Sequence, residues 1–143
     1  MREAGRVNAL ALETMRKMIR PGITTLELDA AAETVIRDHG GKPVFKGYPG
    51  PTPFPGTICV SINEELVHGI PGKRKIQEGD IVSIDCGTLL NGFVGDSAIT
   101  VPVGEIDPAA KRLIEVTEQA LWEGIAKMRA GNRSGDVSWA IQE

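Results

Sequence analysis

Two aspartates carry most of the chemical information in this sequence. Asp85 interrupts Ile81-Val82-Ser83-Ile84-Asp85-Cys86-Gly87-Thr88-Leu89-Leu90, and Asp96 interrupts Phe93-Val94-Gly95-Asp96-Ser97-Ala98-Ile99-Thr100-Val101-Pro102-Val103. A carboxylate set in an apolar strand is costly unless it is paired or binds a cation. Between the two runs lies Asn91-Gly92, the strongest short-range hairpin signal. A two-residue turn there would oppose Leu90 to Phe93, Leu89 to Val94, Thr88 to Gly95 and Gly87 to Asp96. Asp85 lies two residues from Gly87 and so projects to the same side. The acids then become diagonal neighbours on one face, with Cβ atoms about 6–7 Å apart. Like charges that close repel, and one would hold a proton unless a cation lay between them. Paired metals stand about 3.5–4 Å apart, and two such carboxylates could ligate and bridge them. Gly87, opposite Asp96, is expected to leave open room. A one-residue slip would send the acids to opposite faces, so the reading depends on the turn. The competing reading is two unrelated surface aspartates on an edge hairpin, or one of them bonded to the Thr88 hydroxyl.

His68 is the second candidate. It stands in Leu66-Val67-His68-Gly69-Ile70-Pro71, a tight turn that could expose an imidazole at a strand edge, although a lone histidine is more often structural. His39 precedes Gly40-Gly41 at a helix end, where an imidazolium complements the helix dipole; it is read as structural. Cys59 and Cys86 sit in apolar strand-like runs and read as free thiols of a reducing compartment.

The elements that must position these residues follow from the spacing. Val7, Leu10, Ala11, Thr14 and Met18 give a first helix that ends at Pro21-Gly22. Thr24 with Glu27 forms a capping box for a second helix, whose buried stripe is Leu28, Ala31, Ala32, Val35 and Ile36. A loop rich in Pro and Gly, carrying Phe45, Tyr48 and Phe54, fills 42–56. Strands follow from Thr57 to Ile62 and on either side of Asn91-Gly92. A helix resumes after Asp107-Pro108 and ends at Gly131, and Ser134 is the expected cap of one more. Shifted by 109 positions, Ala11 falls on Ala120, Leu12 on Leu121, Arg20 on Arg129, Gly22 on Gly131 and Thr25 on Ser134. The last helix pair thus repeats the plan of the first, and a second copy of the sheet would be expected to follow it.

The 143 residues carry a net charge of −3 and are 41% apolar, enough for one core. Basic residues are scattered, with Lys73-Arg74-Lys75 the longest cluster and read as a solvated loop, so no nucleic-acid or anionic-membrane footprint is expected. No apolar run approaches the roughly 20 residues of a membrane span. The opening is charged helix rather than a signal peptide, and a soluble cytoplasmic protein is the expectation.

Asn63-Glu64-Glu65-Leu66-Val67-His68-Gly69-Ile70-Pro71, Gly79-Asp80-Ile81-Val82-Ser83-Ile84-Asp85 and Gly92-Phe93-Val94-Gly95-Asp96 resemble, in this order and spacing, the type I methionyl aminopeptidases. Met1-Arg2-Glu3-Ala4-Gly5-Arg6 is similar to that family's first helix, so the resemblance covers essentially the whole chain. It implies an α/β (α+β) pita-bread fold, with two pseudo-symmetric halves around an antiparallel sheet with flanking helices. It implies removal of the initiator methionine when the second residue is small. It also implies two divalent metals held by two Asp, one His and two Glu. Asp85 would ligate one metal and Asp96 would bridge both; His68 would hydrogen-bond the substrate near the scissile amide. Cys59 and Phe54 match positions lining the methionine pocket, and Tyr48 joins them, on a loop longer and richer in proline than the family pattern. Cobalt, manganese, iron and zinc all suit such ligands, and a soft thiol suits a thioether side chain. The implied partners are peptides with N-terminal Met and the ribosome, reached through nascent chains, with a monomer for the full-length protein.

No His follows His68, and the family's other ligands and general base find no match. Residues 1–143 are therefore expected to be a single incomplete domain: 1–112 the first α/β half with its metal-binding hairpin, 113–143 the opening helices of the second. Alone, such a chain should be inactive or nearly so. An X-Pro aminopeptidase or dipeptidase of the same fold, similar to prolidase, would share Asp85 and Asp96; a non-catalytic pita-bread binding domain would not need them. A third possibility is that two such halves pair to rebuild a sheet.

Overall fold

A computed structural model describes residues Met1–Glu143, which form two compact units, Met1–Ile106 and Asp107–Glu143. The first opens with α1 (Arg2–Met18) and α2 (Thr25–Asp38). Along α1, Ala4, Val7, Ala11, Leu12 and Met15 recur at three- and four-residue steps and are buried, the stripe a 3.6-residue period places on one side. Gly22, at φ 91°, turns the chain where few side chains could follow. α2 starts on the expected capping box: the Glu27 N–H donates to Thr24 Oγ1 at 3.2 Å, and the Thr24 N–H donates to Glu27 Oε2 at 2.8 Å. It closes at His39, whose Nδ1–H donates to the Val35 carbonyl at 2.9 Å. That matches the structural role read for this histidine.

The sheet has four antiparallel strands: β1 (Lys42–Pro43), β2 (Ile58–Ile62), β3 (Ile81–Leu90) and β4 (Phe93–Pro102). β3 is central, with β4 along one side and β2 and β1 along the other. Lys42 and Pro43, expected to be loop, pair with Leu89 and Thr88, and the Val44 N–H continues the ladder by donating to the Gly87 carbonyl at 3.0 Å. On the back of the sheet Val82, Ile84 and Cys86 alternate along β3 and join Ile58, Val60 and Ile62 of β2. Ala11, Leu12 and Met15 of α1 and Leu28, Ala32 and Ile36 of α2 complete this core. Each large aliphatic side chain buried there contributes about 1.5–3 kcal/mol. Asp29, on α2, accepts the Thr57 and Ile58 N–H groups at 2.7 and 3.1 Å and so anchors the start of β2.

The second unit is the helical pair α3 (Pro108–Lys127) and α4 (Ser134–Gln142). Asp107 caps α3 through a 2.8 Å bond from the Ala109 N–H, with Pro108 in the first turn, where its missing N–H costs nothing. At α4 the N-cap is Arg133, one residue before the expected Ser134; its N–H donates to Asp136 Oδ2 at 2.7 Å. No helix of the chain is long and apolar enough to cross a membrane.

Candidate metal centre

The hairpin takes the register that Asn91-Gly92 predicts. Asn91 and Gly92 have φ of 52° and 79°, the two positive values a type I′ turn demands. Leu90 pairs with Phe93, and the ladder runs from there to Gly87 opposite Asp96 and Asp85 opposite Ala98. On the other flank Asp85 pairs with Cys59 of β2. Asp85, Asp96 and Cys59 therefore share the front face, away from α1 and α2. Thr88 points to the back, where its hydroxyl donates to Asn8 Oδ1 at 2.9 Å. That bond removes the alternative in which Thr88 ties up one of the acids.

Electrostatics agree with the register. Burial, then the Asp96 charge and a hydrogen-bonding contact with the Asp96 carboxyl, push Asp85 above the usual carboxylate range; His68 and the Cys86 N–H oppose the shift. Two carboxyls that interact this way cannot both ionise without cost, and a cation between them relieves it. The Cys59 thiol, pushed up by burial and then by the charges of Asp85 and Asp96, reaches about 11. It therefore stays protonated at neutral pH and acts as a soft wall rather than a nucleophile.

His68 is delivered by a folded loop that begins where β2 ends. Asn63 takes φ 56°, and its Oδ1 accepts the Ile81 N–H at 3.0 Å while its Nδ2 donates to Asp80 Oδ1 at 2.9 Å. Glu65 Oε2 then accepts the Ile62 N–H at 2.9 Å, and its Oε1 is held by Arg74 at 2.7 Å. These bonds double the chain back along β2, where the Val60 N–H donates to the Gly69 carbonyl at 2.9 Å and the Gly69 N–H to Ser61 Oγ at 3.2 Å. A Cβ on Gly69 would overlap the Val60 carbonyl oxygen, so only glycine permits this approach. His68 itself sits at φ 61°, a left-handed conformation costing a non-glycine residue about 1–2 kcal/mol. Local strain of this kind concentrates at functional sites. Together with the front of the sheet, the loop borders an open cavity of about 230 Å³ whose walls include Cys59, Leu66, Val67, His68, Asp85 and Ala98.

Four of the residues singled out from sequence thus converge: Asp85, Asp96, Cys59 and His68. Asp85, Cys59 and His68 line the cavity and Asp96 lies beside it, while the other two, Tyr48 and Phe54, are outside its wall. Tyr48 is exposed and Phe54 half-buried, joined by a 3.1 Å bond from the Phe54 N–H to the Tyr48 carbonyl. The aromatic residue that approaches the acids is Phe45. A Cβ on Gly87 would lie 3.0 Å from the Phe45 ring and 3.2 Å from Val44, so the room expected beside Asp96 is occupied by Phe45. Sequence reading also passed over Ser83 and Thr100, which bond to each other at 2.9 Å and help line the cavity. Their two-residue steps from Asp85 and along β4 were the available signal; Phe45 offered none.

Do these residues suit a divalent ion? Two convergent, mutually repelling carboxylates do, as hard oxygen donors. No group of three or more His, Cys, Asp or Glu side chains is gathered at ligand distance, so Asp85 and Asp96 stand as a candidate pair. Residues 1–143 match metallopeptidase family M24 from end to end. The chain belongs to metallopeptidase family M24. Methionine aminopeptidase 1 of Bacillus subtilis strain 168 is 55% identical over 142 residues, covering 99% of this chain and 56% of that protein. The crystal structure of methionine aminopeptidase from Thermotoga maritima superposes at a TM-score of 0.94 with 44% identity, over 100% of this chain and 57% of that one. An Xaa-Pro dipeptidase from Bacillus anthracis superposes at 0.80 with 23% identity, over 98% and 37%, and shows the shared fold alone. The M24 chain thus spans about half the length of the curated relatives it matches. Its architecture is the expected pita-bread α/β type, an antiparallel sheet with flanking helices, and its family implies dependence on divalent metal.

Proposed function

We propose that residues 1–143 form one side of the metal centre and substrate pocket of a methionyl aminopeptidase, which removes N-terminal methionine from nascent polypeptides. The observation that carries this reading is the convergence of Asp85 and Asp96 on one sheet face, beside His68 and Cys59. Asp85 would ligate one of two divalent ions and Asp96 would bridge both; cobalt, manganese, iron and zinc all suit the donor set. Such ions supply a Lewis acid and lower the pKa of water. The chain's own groups bind and orient. His68 stands at the cavity mouth with an imidazole available to a substrate amide. Cys59, with Leu66 and Val67, presents a soft apolar wall that suits a thioether. Phe54 and Tyr48, matched to the methionine pocket by resemblance, stand outside the cavity wall on the loop after β1, and Lys46 of that loop bonds Glu33 of α2 at 2.6 Å. Residues 1–112 act as the first α/β half and 113–143 open the second, with the division falling inside α3. The substrate is a peptide with N-terminal Met, met at the ribosome by a cytoplasmic, monomeric full-length protein.

Two assays test the reading. The 143-residue chain with added Mn2+ or Co2+ should release methionine from Met-Ala peptides at background rate, because two carboxylates lack the remaining ligands and a base. Normal turnover from it would overturn the ligand assignment. A chimera joining residues 1–143 to the part of the Bacillus subtilis relative that they do not cover should cleave Met-Ala but not Ala-Pro peptides. Asp96→Asn in that chimera should lower the rate at least about 100-fold. Cleavage of Ala-Pro alone would favour an X-Pro enzyme, and a folded chimera that cleaves neither and binds no metal would favour a binding domain.

A further inference from the structure

Asn8 is fully buried in the middle of α1, yet it is polar in a stripe otherwise filled by Ala4, Val7, Ala11, Leu12 and Met15. Both ends of its amide are used on the sheet. Oδ1 accepts the Thr88 hydroxyl of β3 at 2.9 Å, and Nδ2 donates to Ser97 Oγ of β4 at 2.9 Å. In the ladder, Thr88 pairs with Gly95 and Ser97 with Cys86, so these two rungs bracket the rung that joins Gly87 to Asp96. One side-chain amide therefore spans, from behind, the step of the hairpin whose front carries Asp96. The same helix bears on the same place one turn earlier. A Cβ on Gly95 would lie 2.5 Å from the Gly5 nitrogen and 2.6 Å from the Ala4 carbonyl carbon, so α1 rests directly on the β4 backbone beside Asp96.

β4 needs such support. It pairs with β3 on one side only, and a strand held by a single ladder can shift and twist more freely than one held by two. A buried amide with both ends satisfied is rigid, because any displacement leaves a buried donor or acceptor without a partner. We propose that Asn8 is a positioning residue for the carboxylate pair: by clamping Thr88 and Ser97 behind the Asp96 rung, it sets the separation at which Asp85 and Asp96 are offered to a divalent cation. The inference rests on the metal-centre reading above and assigns Asn8 no contact with substrate or metal.

The test is Mn2+ titration of the 143-residue chain by calorimetry, well below the melting temperature of every protein used, with melting temperatures recorded in parallel. The wild-type chain should bind Mn2+, and the Asp85→Asn/Asp96→Asn double variant should not. Asn8→Val removes both bonds with a slightly larger apolar side chain and should weaken binding about tenfold, within the range that supporting residues contribute around metal sites. Ser97→Ala alters an exposed residue, so its fold is retained, and it removes only the β4 arm; binding should fall about threefold. An Asn8→Val chain that fails to fold leaves the decision to Ser97→Ala. No Mn2+ binding by the wild-type chain, or undiminished binding by the double Asp variant, overturns the metal centre and with it the role of Asn8. Binding that is lost in the Asp variants but retained at wild-type affinity in folded Asn8→Val or Ser97→Ala overturns the role of Asn8 alone.

Discussion

The two units of this chain read alike in sequence and differ in what they bury. In Met1–Ile106, the helical stripes of α1 and α2 close on β2 and β3, and Met15, Leu28, Ile36 and Ile84 are wholly removed from water. In Asp107–Glu143, α3 and α4 also carry apolar residues at helical spacing, yet Gly124 is the one residue they bury. Leu113, Leu121, Trp122, Met128 and Trp139 each keep half or more of their surface exposed. Apolar periodicity says which side of a helix would be covered; it does not supply the covering partner. The contact that does form is narrow. Ile141 lies where a Gly124 side chain would otherwise sit, 2.7 Å from the position a Cβ would take.

The largest effect that would break this contrast is in the apolar positions. Leu28→Ala should destabilise the chain by about 3 kcal/mol, since a fully buried leucine loses both its transfer energy and its packing. Leu121→Ala should shift it by no more than about 0.5 kcal/mol. Chemical denaturation of both variants checks this, and equal losses would mean that α3 is covered in solution. The next effect compares polar anchors. Asp29→Ala strands two buried N–H groups and should cost about 2–4 kcal/mol. Asp107→Ala removes only the cap of α3 and should cost about 1 kcal/mol. Thermal melts monitored by circular dichroism distinguish them.

The smallest expected effect is at the acids and has the opposite sign. Asp85 is held above its ordinary range by burial and by Asp96. The folded chain therefore binds a proton there more readily than the unfolded one does. Its stabilising contribution is complete in acid below the usual carboxylate pKa and is lost as pH rises through the elevated folded value. Asp85→Asn should accordingly raise the melting temperature of the metal-free chain at neutral pH, with the gain vanishing toward acid. A melting temperature lowered at neutral pH would show that the pair is not mutually repelling.

Much of the first unit was legible because its instructions are local. Asn91-Gly92 sets a register by backbone conformation alone, and Thr24 with Glu27 starts a helix through two bonds within four residues. From that register the shared face of Asp85 and Asp96 follows without further information, whereas Cys59 joins them through the separate pairing of β2 with β3. What stayed hidden depends on residues distant in sequence. The Asn8 bond to Ser97 spans 89 positions and its bond to Thr88 spans 80, and nothing near residue 8 announces either. Phe45 reaches Gly87 because Lys42 and Pro43 extend the sheet, an addition too short for strand periodicity to reveal. His68 was noticed for its chemistry, but its delivery to the cavity needed the Asn63–Glu65 reversal, whose bonds run to Asp80, Ile81 and Arg74.

The contact of Gly69 with the Val60 carbonyl sorts the neighbouring positions for anyone wishing to redesign what the cavity accepts. Leu66 and Val67 line it from a segment that is otherwise open to solvent, so they can be randomised with little harm to folding. Position 69 admits no alternative, because any larger residue would push the loop off the strand and carry the imidazole at 68 away with it. A combinatorial library over this loop should therefore diversify 66 and 67 freely and hold 69 constant.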